Sequence, residues 1–131
     1  MTGYFIAFEG GEGVGKSTQE ALLAEYLTEI GKTVIRTREP GGTPAAEQIR
    51  NTVLSLEHEG MNPQSEALLF AAARGDHVAR VIRPAIARGD VIICDRYIDS
   101  SVAYQGYARA LGADRIRDLS MWATGGLLPN L

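Results

Sequence analysis

The sequence has little of several features that mark particular classes of protein. Only one of its 131 residues, Cys94, is a cysteine, so a disulfide-stabilised scaffold is excluded and a reducing compartment is expected. No apolar run approaches the roughly 20 residues of a membrane span, and no basic segment of a signal peptide opens the chain. The net charge of −3 gives no sign of a nucleic-acid or membrane partner. We therefore expect a cytoplasmic protein in which any basic site is local.

The most informative feature that is present is a glycine-rich loop. Residues 10–18 read GGEGVGKST and match G-x-x-x-x-G-K-[ST], with Gly10, Gly15, Lys16 and Ser17 in the fixed positions. An apolar predicted strand precedes the loop and a predicted helix follows it, which is the context that a phosphate-binding loop requires. Its backbone N–H groups and lysine would bind phosphate, and its serine would bind Mg²⁺. The sequence predicts a bound nucleoside polyphosphate; the alternative is an ordinary turn with an incidental lysine.

The rest of the sequence alternates strands with helices. Apolar periodicity and turn residues predict strands at 4–8, 32–37 and 91–94, and helices at 19–29, 45–56, 66–82, 100–110 and 114–123. Thr43 and Pro44 are typical of a helix cap and first turn, and a kink is expected at Pro84. This alternation predicts an α/β fold, with strand 91–94 central in a parallel sheet that has helices on both faces. Ligands bind at the carboxyl ends of such strands, so the loops after them should converge.

Charged residues follow the predicted strands at that edge. Asp95 comes directly after an apolar strand, the usual position of a carboxylate that orients Mg²⁺ beside a phosphate loop; the alternative is a helix N-cap or turn aspartate. Arg38 and Arg96 also lie at strand ends, where guanidinium groups suit bidentate binding of phosphate. The alternative for both arginines is a surface ion pair, with Glu39 or Asp99.

Helical spacing brings further residues together. Phe70 and Arg74 are four residues apart and share one helix face, where they could stack on a nucleobase and hydrogen-bond to it. From spacing alone, the ordinary arrangement is favoured, with Phe70 in the core and Arg74 at the surface. The same spacing relates Ser100 to Tyr104 and Ser101 to Gln105.

Four segments together resemble one family. They read FEGGEGVGKST at 8–18, TREPGGT at 37–43, LFAAAR at 69–74 and DRYIDSSVAYQG at 95–106. In order and spacing they are similar to bacterial thymidylate kinase. The resemblance implies a P-loop nucleoside monophosphate kinase-like three-layer fold with a parallel sheet. It also implies transfer of the γ-phosphoryl group of ATP to dTMP, giving dTDP, with Mg²⁺ and usually in a homodimer.

The resemblance also implies roles for individual residues. The catalytic set would be Lys16, Arg38, Arg96 and Asp95, with Ser17 and Asp95 toward the metal. ATP would be bound by Gly10, Gly11, Glu12, Gly13, Val14, Gly15, Lys16, Ser17 and Thr18. The dTMP site would contain Glu12 near the 3′-hydroxyl, Arg38 and Arg96 on the phosphate, Phe70 stacked on thymine and Arg74 at its O4. Ser100, Ser101 and Gln105 would lie by the base, and Tyr104 would disfavour a 2′-hydroxyl. Gly13 stands where some members have an arginine.

The family continues with a further strand, a lid, an adenine-binding segment and a last strand. The resemblance therefore implies one kinase domain over residues 1–131 that is incomplete at its C-terminus, without those strands and the lid. Apolar surface on the first strand and its neighbouring helices should then be uncovered. An isolated chain of this kind is expected to bind nucleotide weakly and to turn over slowly or not at all.

Two other functions remain open. A kinase for another nucleotide or a nucleoside would share the loop, and a nucleoside acceptor would need Glu9 or Glu12 as a base. A non-catalytic nucleotide-binding module is a function of a different class. Phe70, Arg74, Arg96 and Gln105 argue against it, because a module that only binds one nucleotide needs no second site. A phosphate acceptor, with a second pKa of about 6, needs no base. No histidine is therefore assigned to catalysis, and His58 and His77 are expected at the surface.

Overall fold

The computed structural model describes residues 2–11 and 15–131. Three strands, β1 (Tyr4–Phe8), β2 (Val34–Arg38) and β3 (Val91–Asp95), form a parallel sheet in the order β1-β3-β2. The most apolar strand is central, as predicted. The α-helices are α1 (Lys16–Glu29), α2 (Pro44–Leu54), α3 (Pro63–His77), α4 (Arg83–Arg88), α5 (Ile98–Ser101) and α6 (Ala113–Thr124). No helix in the described ranges has the length and apolar character that a membrane crossing requires.

Local sequence explains where α2 begins and ends. The Thr43 hydroxyl accepts a hydrogen bond from the backbone N–H of Ala46 at 3.0 Å, and Pro44 occupies the first turn, as predicted. The helix ends at Leu54 rather than near residue 56, and a 3₁₀ turn, Leu56–His58, follows. The Ser55 hydroxyl caps that turn by accepting a hydrogen bond from the N–H of Glu57.

Two predicted helices contain a wider turn. After α3 the chain forms a π-helical segment, Val78–Ile82, and then α4, so the widening comes before Pro84 rather than as a break at it. Proline cannot donate a backbone hydrogen bond, and a wider turn accommodates its ring. The predicted helix 100–110 is α5 followed by a second π-helical segment, Val102–Ala108. Such segments are frequent at functional sites.

The strand register aligns the residues that matter for a site. In the β1–β3 ladder Phe8 is opposite Asp95, and in the β2–β3 ladder Arg38 is opposite the same residue. Beyond the ladders, the N–H of Arg96 donates to the carbonyl of Phe8 at 2.8 Å, and that of Glu39 donates to the carbonyl of Asp95 at 2.9 Å. The three strands therefore end side by side at one edge of the sheet, and hydrogen bonds connect the residues that follow them. This confirms that the loops converge.

The uncovered apolar surface expected on β1 is largely absent from the described strand. Phe5 and Ile6 are buried, and the Phe5 ring packs edge-on against Tyr97 at 5.0 Å between centroids. The outer edge of β1 is hydrogen-bonded to Asn130 and Leu131, including Phe5 N–H to Asn130 Oδ1 at 2.8 Å. The expectation was therefore wrong for the middle of β1, whose edge pairs with the chain's own last residues, whereas Tyr4 at its start is 45% exposed. On α1 and at its C-cap, Leu22, Tyr26 and Ile30 are each more than half exposed, as expected for a neighbouring helix.

The central cysteine gives a test of this sheet. Cys94 is fully buried, its thiol donates to the carbonyl of Arg96 at 3.2 Å, and burial raises the pKa of the thiol well above its usual range. We expect a thiol reagent to label the native chain at least ~100-fold more slowly than the urea-unfolded chain, because labelling requires opening of the core. Mass spectrometry of timed samples would measure this, and Cys94→Ala gives the background. Equally fast labelling of the native chain would contradict a central β3.

Candidate active site

A cavity of about 360 Å³ opens at the carboxyl ends of the strands. Four separate parts of the sequence line it: the strand ends with the residues that follow them, α2, α3, and α5 with the π-helical segment after it. The predicted residues on its wall are Arg38, Asp95, Arg96, Phe70, Arg74, Ser100, Ser101, Tyr104 and Gln105. We call it the acceptor cavity. The structure therefore brings together every residue that the resemblance assigns to the site of the phosphate-accepting substrate, apart from Glu12, which lies outside the described residues.

Arg74 is held from several sides, and its expected surface position is wrong. Its side chain is 3% exposed, and its Nε donates to Glu39 Oε1 at 2.5 Å. Nη1 donates to the hydroxyls of Ser101 and Ser120, and Nη2 donates to the carbonyl of Tyr97. A guanidinium has five N–H groups, so within the described chain one N–H, on Nη2, has no protein acceptor. Arg74 is buried because its partners come from other elements, which helical spacing does not reveal.

Phe70 and Gln105 complete this end of the cavity. Phe70 is half-buried on the wall rather than in the core, so the ordinary reading of its position was also wrong. Gln105 is 4% exposed, and its Oε1 is buried without a hydrogen-bond partner among residues 2–11 and 15–131. A buried acceptor of this kind costs about 1–3 kcal/mol unless a ligand satisfies it. The arrangement offers an aromatic face, a donor and an acceptor to one planar ligand.

Two arginines at the strand ends border the same cavity. Arg38 pairs with Glu47, Nη2 to Oε1 at 3.0 Å, rather than with Glu39 as the alternative had it. The Arg96 guanidinium lies over the ring of Tyr104 at 5.4 Å from the centroid, and its backbone has φ 72°, an uncommon conformation for a residue other than glycine. Both guanidinium groups border the cavity, where bidentate hydrogen bonds to a phosphate are possible.

A third arginine was missed from the sequence. Arg50 of α2 lines the same cavity, and its Nη1 donates to the carbonyl of Pro40 at 2.9 Å. Burial lowers the pKa of its guanidinium, and the positive charge of Arg38 lowers it further. The sequence carried one usable signal: Glu47 and Arg50 are three residues apart, and so on one face of a helix that starts directly after the strand-end loop.

The phosphate loop meets the cavity through Lys16 and Asp95. The Lys16 ammonium lies 2.6 Å from Asp95 Oδ1 and donates to the carbonyl of Gly10 at 3.1 Å. Asp95 is therefore an ion-pair partner and not a helix cap. Gly15, with φ 78°, stands at the start of α1, while Gly11, Ser17 and Thr18 are exposed at the same end. The predicted ATP residues Glu12, Gly13 and Val14 lie outside the described part of the chain.

Oxygen ligands for a divalent cation lie beside this pair. Ser17, Glu20 and Asp95 border a second cavity of about 570 Å³. Within the described residues, Glu20 Oε2 and Asp95 Oδ1 are buried without a hydrogen-bond partner, although Asp95 Oδ1 contacts Lys16. Burial raises the pKa of Glu20, and the charge of Asp95 adds to the effect. Hydroxyl and carboxylate oxygens are the ligands that Mg²⁺ prefers, so these residues fit that ion.

The expected surface position of His77 is wrong, whereas His58 is exposed as expected. His77 is fully buried, and its ligand atoms, with those of Glu39 and Cys94, lie within 4.8 Å of one another. Both Glu39 oxygens already have partners, Arg74 and His77. This group is therefore a hydrogen-bonded cluster, with the carboxylate committed to two nitrogen donors.

Comparison with known proteins finds one family to which this chain is similar. A family model described as thymidylate kinase matches residues 8–131. Thymidylate kinase of Clavibacter sepedonicus is 58% identical over 131 residues, which is 100% of this chain and 62% of that protein. That of Leifsonia xyli is 57% identical over 129 residues, 98% of this chain and 61% of that protein. The chain thus spans about three fifths of the length of these curated relatives.

A solved structure has the same fold. The crystal structure of thymidylate kinase from Ehrlichia chaffeensis superimposes with a TM-score of 0.92 at 41% identity. The match covers 100% of this chain and 74% of that one.

Arg50 provides a test of the cavity's charge. Arg50→Gln keeps a donor for the Pro40 carbonyl and removes one positive charge, so the affinity for a phosphate monoester such as dTMP should fall about 10-fold, the scale of one charge-assisted hydrogen bond. Titration calorimetry on the 131-residue chain measures the change. The matched control is Arg88→Gln, because Arg88 pairs with Asp90 at the opposite end of β3. Equal affinities of the two variants would remove Arg50 from the site.

Proposed function

This chain belongs to the thymidylate kinase family, and we propose that the protein to which it belongs transfers the γ-phosphoryl group of ATP to dTMP, giving dTDP. The observation that carries the proposal is the base end of the acceptor cavity. There, Gln105 Oε1 is a buried hydrogen-bond acceptor and Arg74 is a fixed hydrogen-bond donor. Both border the same cavity as the arginines. A pyrimidine monophosphate has the complementary features at its two ends.

The base end of the cavity suits thymine better than cytosine. Thymine presents a ring N–H beside the O4 carbonyl, and these need an acceptor and a donor. Gln105 Oε1 supplies the acceptor and the remaining Nη2 N–H of Arg74 supplies the donor. Cytosine has an acceptor and an amino group at the same positions, so it would leave both protein groups unpaired. Phe70 offers its ring for stacking, with Ser100 and Ser101 on the adjoining wall.

The phosphate end needs charge rather than a general base. The second pKa of a phosphate monoester is about 6, so the attacking oxygen is already ionised near neutral pH. Arg38, Arg50 and Arg96 would hold it in line, and catalysis consists of positioning and of stabilising charge on the transferred group. A nucleoside acceptor would need a base, which makes it the less suitable substrate.

The donor side would use the loop after β1. Lys16 would neutralise the outer phosphates of ATP, and Ser17 with Asp95 would hold Mg²⁺, which offsets phosphate charge when it is bound. The remaining loop residues, including Glu12, Gly13 and Val14, are assigned to ATP from the sequence alone. We further propose a cytoplasmic homodimer. The exposed side chains of Leu68 and Trp122, on the mutually packed α3 and α6, are apolar surface available for a second copy.

Base recognition can be tested with one isosteric change. Gln105→Met keeps the length of the side chain and removes its acceptor, so dTMP affinity should fall at least about 10-fold, and the preference for dTMP over dCMP should shrink. Calorimetric titrations with dTMP, dCMP, dUMP and thymidine measure both effects. Gln48→Met, on the exposed face of α2, is the control. If the unmodified chain preferred dCMP or thymidine, another acceptor would replace dTMP in the proposal.

The donor side is tested by Lys16→Ala in the complete enzyme. Removing this ammonium should lower turnover at least ~100-fold, the scale of losing one donor that stabilises charge in the transition state. A coupled assay of ADP formation with dTMP as acceptor gives the rate. Near-normal turnover would refute the assignment of the loop to ATP.

A further inference from the structure

Four polar side chains link the end of β2 to α3 beneath the acceptor cavity. His77 Nδ1 lies 2.8 Å from Glu39 Oε2, and His77 Nε2 lies 2.6 Å from the Thr37 hydroxyl. Glu39 Oε1 in turn accepts from Arg74 Nε at 2.5 Å. His77 is fully buried and Glu39 is 4% exposed, so solvent has little access to the bonds that the carboxylate makes. We call these four residues the Glu39 cluster.

The members of the Glu39 cluster differ in whether they line the acceptor cavity. Arg74 and Glu39 border the acceptor cavity, whereas His77 is not among the described residues that line it. His77 therefore reaches the cavity through Glu39. Because a carboxylate only accepts, the proton of a neutral His77 ring lies on Nδ1, and Nε2 accepts from the Thr37 hydroxyl. The ring thus fixes the carboxylate on one side and the last turn of β2 on the other.

The imidazole also supports the loop that follows β2. Gly42 has φ 97°, and a Cβ at this position would overlap the Cδ2 and Nε2 atoms of His77. The backbone of the loop therefore rests directly on the ring. The N–H of Gly42 donates to Glu47 Oε2 at 2.8 Å, and Glu47 also pairs with Arg38. Through this backbone, the position of the ring is connected to an arginine at the phosphate end.

We propose that His77 is a positioning residue for the acceptor site. It holds the Glu39 carboxylate so that Arg74 presents its remaining N–H to the base. It also fixes the position of the loop after β2, whose backbone packs on the ring. The inference rests on the proposed function for the identity of the ligand. It adds a residue that touches neither nucleotide and acts through Glu39.

The energetics of the cluster give His77 this influence. A buried ion pair is stable only when its remaining hydrogen-bonding positions are filled. Without a donor at the Nδ1 position, Glu39 Oε2 loses its partner in a nearly solvent-free site, and the carboxylate must rotate or bind a water molecule from the cavity that it borders. Arg74 is bonded to the same carboxylate and would move with it. The loss then appears as weaker ligand binding as well as lower stability.

Two amide substitutions separate the two ring nitrogens. The amide nitrogen of His77→Asn falls near the position of Nδ1 and can still donate to Glu39, whereas that of His77→Gln falls near Nε2 and reaches Thr37 instead. We expect His77→Asn to bind dTMP within about 3-fold of the unmodified chain and His77→Gln to bind at least about 10-fold more weakly, since one bond to a buried charge is lost. Affinity for ATP with Mg²⁺ should be the same in both.

The comparison discriminates against a purely structural role. Asparagine fills less of the space left by the ring than glutamine does, so a role in packing alone predicts that His77→Asn is the more damaged variant. The positioning role predicts the reverse order for dTMP affinity. Val78→Ala is the stability control, because Val78 is buried in the core next to His77 in the sequence. It should lower the melting temperature without changing the affinity for dTMP.

A spectroscopic measurement keeps the inference separate from the proposed function. The Nε–H of Arg74 is buried and bonded to Glu39 and should give a resolved, slowly exchanging signal in ¹H–¹⁵N spectra of the chain. That signal should persist in His77→Asn and broaden or exchange rapidly in His77→Gln, with or without nucleotide. Failure of the folded, unmodified chain to bind dTMP would count against the proposed function, while the Arg74 signal still decides the positioning role. Equal signals and equal dTMP affinities in the two variants would overturn the inference.

Discussion

The buried ion pair between Arg74 and Glu39 is the interaction on which the structure of the acceptor cavity depends. Removing both charges from water costs several kcal/mol per ion, and only a nearly complete set of partners offsets that cost. Here the set comes from four elements: the end of β2 supplies Glu39, α3 supplies Arg74 and His77, α5 supplies Ser101, and α6 supplies Ser120. The pair therefore fixes the mutual positions of those elements as well as one guanidinium.

This arrangement relates folding to recognition. A guanidinium with most of its donors bonded to protein cannot rearrange to suit an arbitrary ligand, which is a form of preorganisation. Gln105 is the opposite case, because its buried oxygen lacks a partner within the described chain. One group is committed and the other is unsatisfied, and together they define the pattern of hydrogen-bond donor and acceptor that a ligand in the cavity must match.

Much of the fold and part of the site could be predicted from the sequence. The strands, their parallel order and the convergence of Arg38, Asp95 and Arg96 follow from local apolar runs and from the general geometry of α/β sheets. The burial of Arg74 and His77 could not be predicted in this way, because their partner Glu39 is 35 and 38 residues away in the sequence. Helical spacing shows which residues share a face of α3; it does not show what that face meets. The resemblance to a family suggested a role for Arg74, whereas Arg50, despite its spacing from Glu47, and the burial of His77 were recognised only in the structure.

The level alignment of Phe8, Asp95 and Arg38 has a consequence for how such a chain can change over evolution. Side chains alternate between the two faces of a strand, so a shift of one residue reverses every one of them. Deleting a single residue within β3 would place Arg96 where Asp95 now contacts Lys16, and would exchange the faces of Ile93 and Cys94. Changes in length are therefore far more harmful in the three short strands than in surface turns such as 59–61, and insertions that survive selection should concentrate in those turns.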